Sequence, residues 1–300
     1  MSQPRIIDGR GIAASINSET REKLKNAKSE RRPAILSITI GSDPSSESYL
    51  RQKQRAAHSL GIELKLKQFS KSASEDEIIE FADMASEDGA IDAIMLHSPV
   101  PPGFDADRIA AHISPSKDVD CMSMHSRGLL YSGKPLYSPA TAEAVVETLR
   151  RENVQISGKH VVIIGRSLVV GKPLASLLLV NGERGDATVT VCHSKTAELP
   201  SITVTADILV AAIGKAHFVT GEMVRKGTVV IDVGINASRT VNGLFSGGIT
   251  GDVDFASVSQ VAAALTPVPG GVGPVTTAIL MRNVVKSWTR RIIAGTNHPG

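Results

Sequence analysis

Short runs of β-branched and aliphatic residues alternate along this chain with stretches whose apolar positions repeat at helical spacing. The strand-like runs are PAILSITI (33–40), IELKLKQF (62–69), IDAIML (91–96), HVVIIG (160–165), TVTVCH (188–193), DILVAAIG (207–214) and TVVIDVGI (228–235). Such alternation predicts α/β units with mostly parallel sheets. Helical spacing marks 46–61, a short helix near 105–112, TAEAVVETLRRE (141–152) and PVTTAILMRNVVKSW (274–288). The helix at 141–152 bridges two domains, and the one at 274–288 returns to the first. The expected fold is therefore two α/β domains, the first from 1–140 and 276–300 with a mostly parallel sheet, the second, Rossmann-like, inserted as 141–275.

The stretch HVVIIGRSLVVGKP (160–173) carries the clearest chemistry. A β-branched run that ends in glycine and turns straight into a helix leaves unpaired backbone N–H groups, which make a floor for phosphate. Gly165 and Gly171 let the backbone approach a ligand, Arg166 adds a bidentate cation, and Pro173 has its φ preset for a helix start. The pattern is not GxGxxG, so a tight strand-to-helix connection is the competing reading. The next strand ends in His193-Ser194-Lys195-Thr196 where a dinucleotide fold often has an acid for the ribose 2′-hydroxyl. With hydroxyl and cationic donors there instead, and Arg166 in reach, a 2′-phosphate is tolerated and NADP is favoured over NAD. HSKT also suits a cap for the following helix. Further on, TPVPGGVGPVTT (266–277) offers glycines against which a flat ring can lie.

In the first half, Tyr49, Lys53, Ala56 and Leu60 recur at i, i+4, i+7 and i+11 and share one helix face. Loss of water around a lysine disfavours its ammonium and makes it a base near neutral pH; a lysine stem lying along the face with its amine in solvent is the alternative. His97 follows IDAIML, at the carboxyl end of a strand, where open α/β sheets bind ligands; a satisfied structural histidine is the competing reading. Asp118 and Asp120 sit two apart in a non-helical segment, and a fixed carboxylate there can accept two parallel N–H bonds from a heterocycle edge.

Composition narrows the class. A net charge of +3 from 33 basic and 30 acidic residues, without a long basic block, argues against a nucleic-acid binder. Cys121 and Cys192 lack CxxC spacing, which fits a reducing cytosol and argues against a disulfide scaffold or a zinc site. The first residues show no targeting signal, and no run approaches the roughly 18 apolar residues of a membrane span. A soluble cytoplasmic protein with a small anionic ligand and no membrane partner is expected.

Taken in order, YLRQK (49–53), PSKDVD (115–120), GRSLVVGKP (165–173), ATVTVCHSKT (187–196), VIDVGIN (230–236), GDVDF (251–255) and TPVPGGVGP (266–274) resemble the bifunctional methylenetetrahydrofolate dehydrogenase/cyclohydrolase family over nearly the whole chain. The resemblance implies a folate-binding catalytic domain, an NADP-binding Rossmann domain with a folate cleft between them, and a homodimer. It implies NADP-dependent oxidation of 5,10-methylenetetrahydrofolate to the methenyl form, then hydrolysis to 10-formyltetrahydrofolate, as in one-carbon metabolism and purine biosynthesis. By the same resemblance Tyr49 borders the folate, Lys53 is the central catalytic lysine and Asp120 holds the pterin. Arg166 and Ser194 take the NADP 2′-phosphate, Ser167 the neighbouring phosphates, and Ile235, Gly273 and Thr276 line the nicotinamide and folate side.

Three departures fall in the catalytic half. His97 replaces the family's glutamine, Cys121-Met122-Ser123 replaces Gly-Phe/Leu-His, and Leu136-Tyr137-Ser138-Pro139 replaces PCTP. A neutral histidine can accept the glutamine's hydrogen bond from Lys53, but with an ordinary pKa near about 6.5 it can also carry a proton beside a cationic intermediate. Hydrolysis that is weakened, or that fades as pH drops, is the expected consequence. A dehydrogenase without the hydrolytic step, or a folate- and NADP-binding protein with little turnover, are the alternatives.

Overall fold

The structure is a computed structural model that describes residues 4–27, 29–41, 44–182, 184–239 and 245–296, without the side chains of 44–49, 237–239, 245–247 and 294–296. In chain order the first elements are β1 (Arg5–Ile6), α1 (Gly9–Asn26), β2 (Ala34–Ile40), α2 (Pro44–Leu60), β3 (Glu63–Phe69), α3 (Glu75–Glu87) and β4 (Ala93–Leu96). Then come α4 (Ala106–Ala110), α5 (Met124–Tyr131), α6 (Ala140–Arg151), β5 (His160–Ile164), α7 (Gly171–Leu178), β6 (Thr188–Cys192), α8 (Leu199–Thr203) and β7 (Ile208–Ala211). The last are β8 (Val229–Asp232), β9 (Asn236–Arg239), β10 (Phe245–Thr250), α9 (Phe255–Val258), β11 (Ala264–Leu265) and α10 (Val272–Thr296). All seven strand-like runs read from the sequence form strands, each trimmed by a few residues where its end leaves the ladder.

Packing divides the chain into two units, 14–140 with 277–300, and 1–13 with 141–276. The first unit holds a parallel sheet in the order β3-β2-β4. Leu36 and Ile38 of β2, Ile94 and Leu96 of β4, and Ile78 of α3 form its core. The C-terminal part of α10 belongs to this unit, as expected. Ser287 Oγ donates to the Asp92 and Ser116 carbonyls at 2.6 and 2.8 Å, and Asn283 Nδ2 donates to the Val119 carbonyl at 3.0 Å. These bonds tie the helix to the segment that ends at Asp120.

The second unit is a six-stranded parallel sheet, β1-β11-β8-β7-β5-β6. From β5 the chain steps out to β6 and then back across to β7, so strand order reverses beside β5. Ligands of open α/β sheets bind at such a switch, beyond the carboxyl ends of the strands.

One boundary differs from the expected division. The first residues do not join the first unit's sheet, because β1 pairs in register with β11, Arg5 with Ala264 and Ile6 with Leu265. A Cβ on Gly9 would lie 1.8 Å from the Gly271 carbonyl oxygen, so glycine permits the chain to pass there. Two residues carry too short a pattern to register as a strand. HSKT does not cap a helix either: it forms a turn, and α8 starts only at Leu199 behind Glu198, whose φ is +48°.

Candidate active site and cofactor site

In the first unit, α2 carries Lys53, the end of β4 carries His97, and the segment beyond α4 carries Asp120. The Asp120 segment is anchored before it reaches the site. Ile94 N–H donates to the Lys117 carbonyl at 2.8 Å, a parallel bridge that sets 117–118 beside β4. The buried Asp118 carboxylate then accepts the N–H groups of Met122 and Ser123 at 2.8 and 2.9 Å. Of the two aspartates, Asp118 is spent on this turn. Asp120 is left with a single backbone bond, Ala140 N–H to Oδ1 at 2.7 Å, and its Oδ2 has no partner among the described residues.

Lys53 points inward rather than into solvent. Its Nζ lies 3.3 Å from Sδ of the buried Met95, a soft and weak acceptor. Burial lowers its pKa from the usual lysine range, while the Asp120 charge pulls the other way. Burial raises the Asp120 pKa, against the Ala140 N–H and the Lys53 charge, with Asp118 adding to the rise. Amine and carboxylate therefore sense each other, and each is held nearer its neutral form than in water. Tyr49 is one turn before Lys53 on α2, and its side chain lies outside the described residues.

His97 corrects one expectation. Burial, followed by the Lys53 charge, pushes its pKa down to about 4, so the ring is neutral at physiological pH and adds no cation. Its Nε2 is buried without a partner among the described residues. At the Cys121-Met122-Ser123 departure, Cys121 occupies a left-handed position at φ +56°, one that glycine takes without strain, and Ser123 caps α5. The Cys121 thiol, pushed up to about 12 by burial and then by Asp118 and Asp120, is no nucleophile.

In the second unit, β5 and β6 run in register, Ile164 beside Cys192. Arg166 and Ser194 lie two residues past that pair, both exposed. Ser167 is exposed at the start of the loop, where its Oγ accepts the Val170 N–H at 3.1 Å. The glycines act differently from the sequence reading. A Cβ on Gly165 would lie 2.2 Å from the Ala212 oxygen, and one on Gly171 would lie 2.0 Å from the Gly165 oxygen. Both clear space for the protein's own backbone, and so bring the loop into the shape that aims Arg166 and Ser167 outward. In the 266–277 segment the same test separates the glycines. A Cβ on Gly271 would lie 2.5 Å from the Pro267 oxygen, whereas one on Gly273 would meet nothing nearer than Ile235 Cδ1 at 4.0 Å. Gly273 and Thr276 share one face of the first turn of α10, beside the exposed Ile235. That is a small apolar shelf suited to a flat ring.

Two further residues escaped the sequence reading. Asp232, at the end of β8, accepts N–H bonds from Gly234, Asp252 and Val253 at 2.9, 3.0 and 3.0 Å. Asp252 accepts from the backbone of Ile213, Gly214 and Lys215 at 2.7, 3.0 and 2.8 Å and from Asn236 Nδ2 at 2.9 Å. Both side chains are buried. The signal was an acid in the apolar frames VIDVGIN and GDVDF, where a buried charge needs partners.

Comparison with known proteins agrees with both halves. Residues 7–120 match the model of the tetrahydrofolate dehydrogenase/cyclohydrolase catalytic domain, and residues 139–292 that of its NAD(P)-binding domain. The bifunctional protein FolD of Nocardia farcinica is 45% identical over 95% of this chain and 97% of its own length. That of Caldanaerobacter subterraneus subsp. tengcongensis is 43% identical over 94% of this chain and 96% of its own. Among solved structures, a Trypanosoma brucei methylenetetrahydrofolate dehydrogenase-cyclohydrolase complexed with NADP and an inhibitor superposes with a TM-score of 0.89 at 35% identity, covering 97% of this chain and 99% of that one. Since the match runs through both units in order and nearly end to end, the chain belongs to the tetrahydrofolate dehydrogenase/cyclohydrolase family.

Proposed function

We infer that the chain oxidises 5,10-methylenetetrahydrofolate to 5,10-methenyltetrahydrofolate with NADP and hydrolyses that product to 10-formyltetrahydrofolate. The observation that carries this is the Lys53 amine, buried against a thioether and coupled to a carboxylate with an open oxygen. Asp120 takes the pterin edge through Oδ2, because Oδ1 is already engaged by Ala140. Tyr49 borders the folate one turn away on α2.

NADP fits the second unit. Arg166 and Ser194 take the 2′-phosphate, Ser167 takes the neighbouring phosphates, and the Ile235, Gly273 and Thr276 shelf receives the nicotinamide. Bound there, NADP supplies the hydride acceptor for the first reaction. The protein's part in that step is alignment and exclusion of water. In the second step water attacks the methenyl carbon as the C=N π bond opens, the neutral Lys53 amine takes its proton, and the carbinolamine then breaks its C–N5 bond with a proton going to N5, leaving the formyl group on N10. The cationic substrate shifts the lysine further toward the amine. His97, neutral, stands in the glutamine's place with Nε2 still open, so it offers an acceptor that can orient the Lys53 amine or the water once substrate is bound. Hydrolysis is slowed by the exchange, with its acid limit set by Lys53.

The test is a paired assay that follows NADPH and the methenyl compound separately, with NADP and with NAD, across pH. Both reactions with a preference for NADP support the assignment. Accumulation of the methenyl compound selects a pure dehydrogenase, and binding of both ligands without NADPH formation rejects the enzyme altogether. We also propose that the protein works in the cytoplasm as a homodimer. Among the described residues strand β3 is paired on one side only, and it carries an exposed Leu66; sedimentation equilibrium reads the mass directly.

A further inference from the structure

Two buried carboxylates, seven N–H donors and no cationic side chain among their hydrogen-bond partners make an unusual cluster in the second unit. The donors converge from three places: the loop after β7, the turn after β8, and residues 252–253 beyond β10. Ile235 lies between two of them. Its predecessor Gly234 gives its N–H to Asp232, and its successor Asn236 gives its side-chain amide to Asp252. Ile235 is itself 38% exposed.

The glycines of the two motifs are dictated by the same carboxylates. A Cβ on Gly234 would lie 2.2 Å from Asp252 Oδ1, and one on Gly251 would lie 1.8 Å from Asp232 Oδ2. Burying two like charges together is costly, and the N–H groups they accept, which an apolar pair would leave unsatisfied, offset that cost. The cost is visible at Asp232, which burial pushes up to about 6 against the pull of its three N–H donors, with Asp252 pushing the same way. What carboxylates add is direction, since each oxygen fixes the line of the N–H groups it accepts and hence the peptide planes that carry them.

We propose that Asp232 and Asp252 are positioning residues for the dehydrogenase step, clamping the backbone on both sides of Ile235 so that the nicotinamide is seated at one depth against Ile235 and Gly273. The proposal rests on the functional reading above. Hydride transfer is steeply sensitive to the placement of the reacting carbons. Hydrolysis uses Lys53 and water and does not call on Ile235. The adenosine end of NADP is held elsewhere, by Arg166 and Ser194. Loosening the clamp therefore lowers one rate and spares the other, with little loss of cofactor affinity.

Asp252→Asn tests this in the full-length enzyme. The amide keeps the volume but turns one acceptor into a donor that faces other N–H groups. Three quantities are measured: kcat for NADPH formation, hydrolysis of the methenyl substrate without cofactor, and the Kd of NADP by fluorescence titration. The expected result is a fall of about tenfold or more in the first, with the other two within about 1.5-fold of the parent. Asn236→Ala removes one donor from a partly exposed side chain, and decides the matter if the first variant does not fold; a fall of about threefold confined to NADPH formation is expected. Equal losses in both reactions overturn the proposal, as does a rise in Kd large enough to explain the lost rate, or an unchanged kcat. A parent enzyme that forms no NADPH refutes the functional reading instead, so the two failures are told apart.

Discussion

The two units bury charge in opposite ways. Asp232 and Asp252 are saturated, with seven donors shared between two carboxylates. Around Lys53 the partners among the described residues are few: a thioether for the amine, one backbone N–H for Asp120, and none for His97 Nε2. Unmet hydrogen-bonding capacity is costly in a low-dielectric interior, and at Lys53, Asp120 and His97 it falls on three groups of which the first is electrostatically coupled to the other two, where a ligand can complete it. The contrast separates a group that holds the fold from one that does chemistry. Its most severe test is Lys53→Met, which keeps the buried stem and removes the base. Hydrolysis falls about 10²–10⁴-fold while the Kd of NADP is unchanged, read by loss of the methenyl compound and by fluorescence titration. Undiminished hydrolysis would take the lysine out of the mechanism.

A smaller effect comes from making one substitution at two glycines of the second unit. In Gly171→Ala the new methyl meets the Gly165 carbonyl oxygen at 2.0 Å, which is backbone and cannot swing aside. The fold should lose about 3 kcal/mol, seen as a lower Tm. In Gly273→Ala the methyl meets only Ile235 Cδ1 at 4.0 Å, so the melting point holds. Yet NADPH formation should drop about tenfold, because the methyl occupies the shelf proposed for the ring. A stable Gly273→Ala enzyme with full activity would move the nicotinamide elsewhere.

The layers of both units were legible because apolar runs of strand length alternate with helices, a pattern that survives in any α/β chain. Lys53 was legible as a lysine on an otherwise apolar helix face, and His97 as the residue that leaves a buried strand. Strand β1 was not, since its two residues have no period to detect. The division of labour between Asp118 and Asp120 was also hidden, because which acid is consumed by backbone donors depends on the turn after it. The sequence could not show His97's burial, and without it an ordinary pKa was the only value to assign. The glycines of 165–171 read as room for a ligand because sequence shows a missing side chain but not what fills the gap.

The same contrast appears in stability against pH, with opposite signs. His97 has a folded pKa of about 4, below its unfolded value of about 6.5. The unfolded chain therefore binds its proton first, and stability is lost as pH falls from about 6.5 toward 4. Asp232 has a folded pKa of about 6, above an unfolded value of about 3.9. Here the folded chain binds the proton first, so stability is gained as pH falls through about 6 toward 4. Each contribution is of order 3 kcal/mol, and within the wild type they largely cancel. Single variants separate them. Melting curves between pH 4 and 7 should show His97→Gln less sensitive to acid than the parent and Asp232→Asn more sensitive. Parallel curves for all three would mean that neither group titrates where its burial places it, and that the saturated and the unsaturated clusters are electrostatically alike.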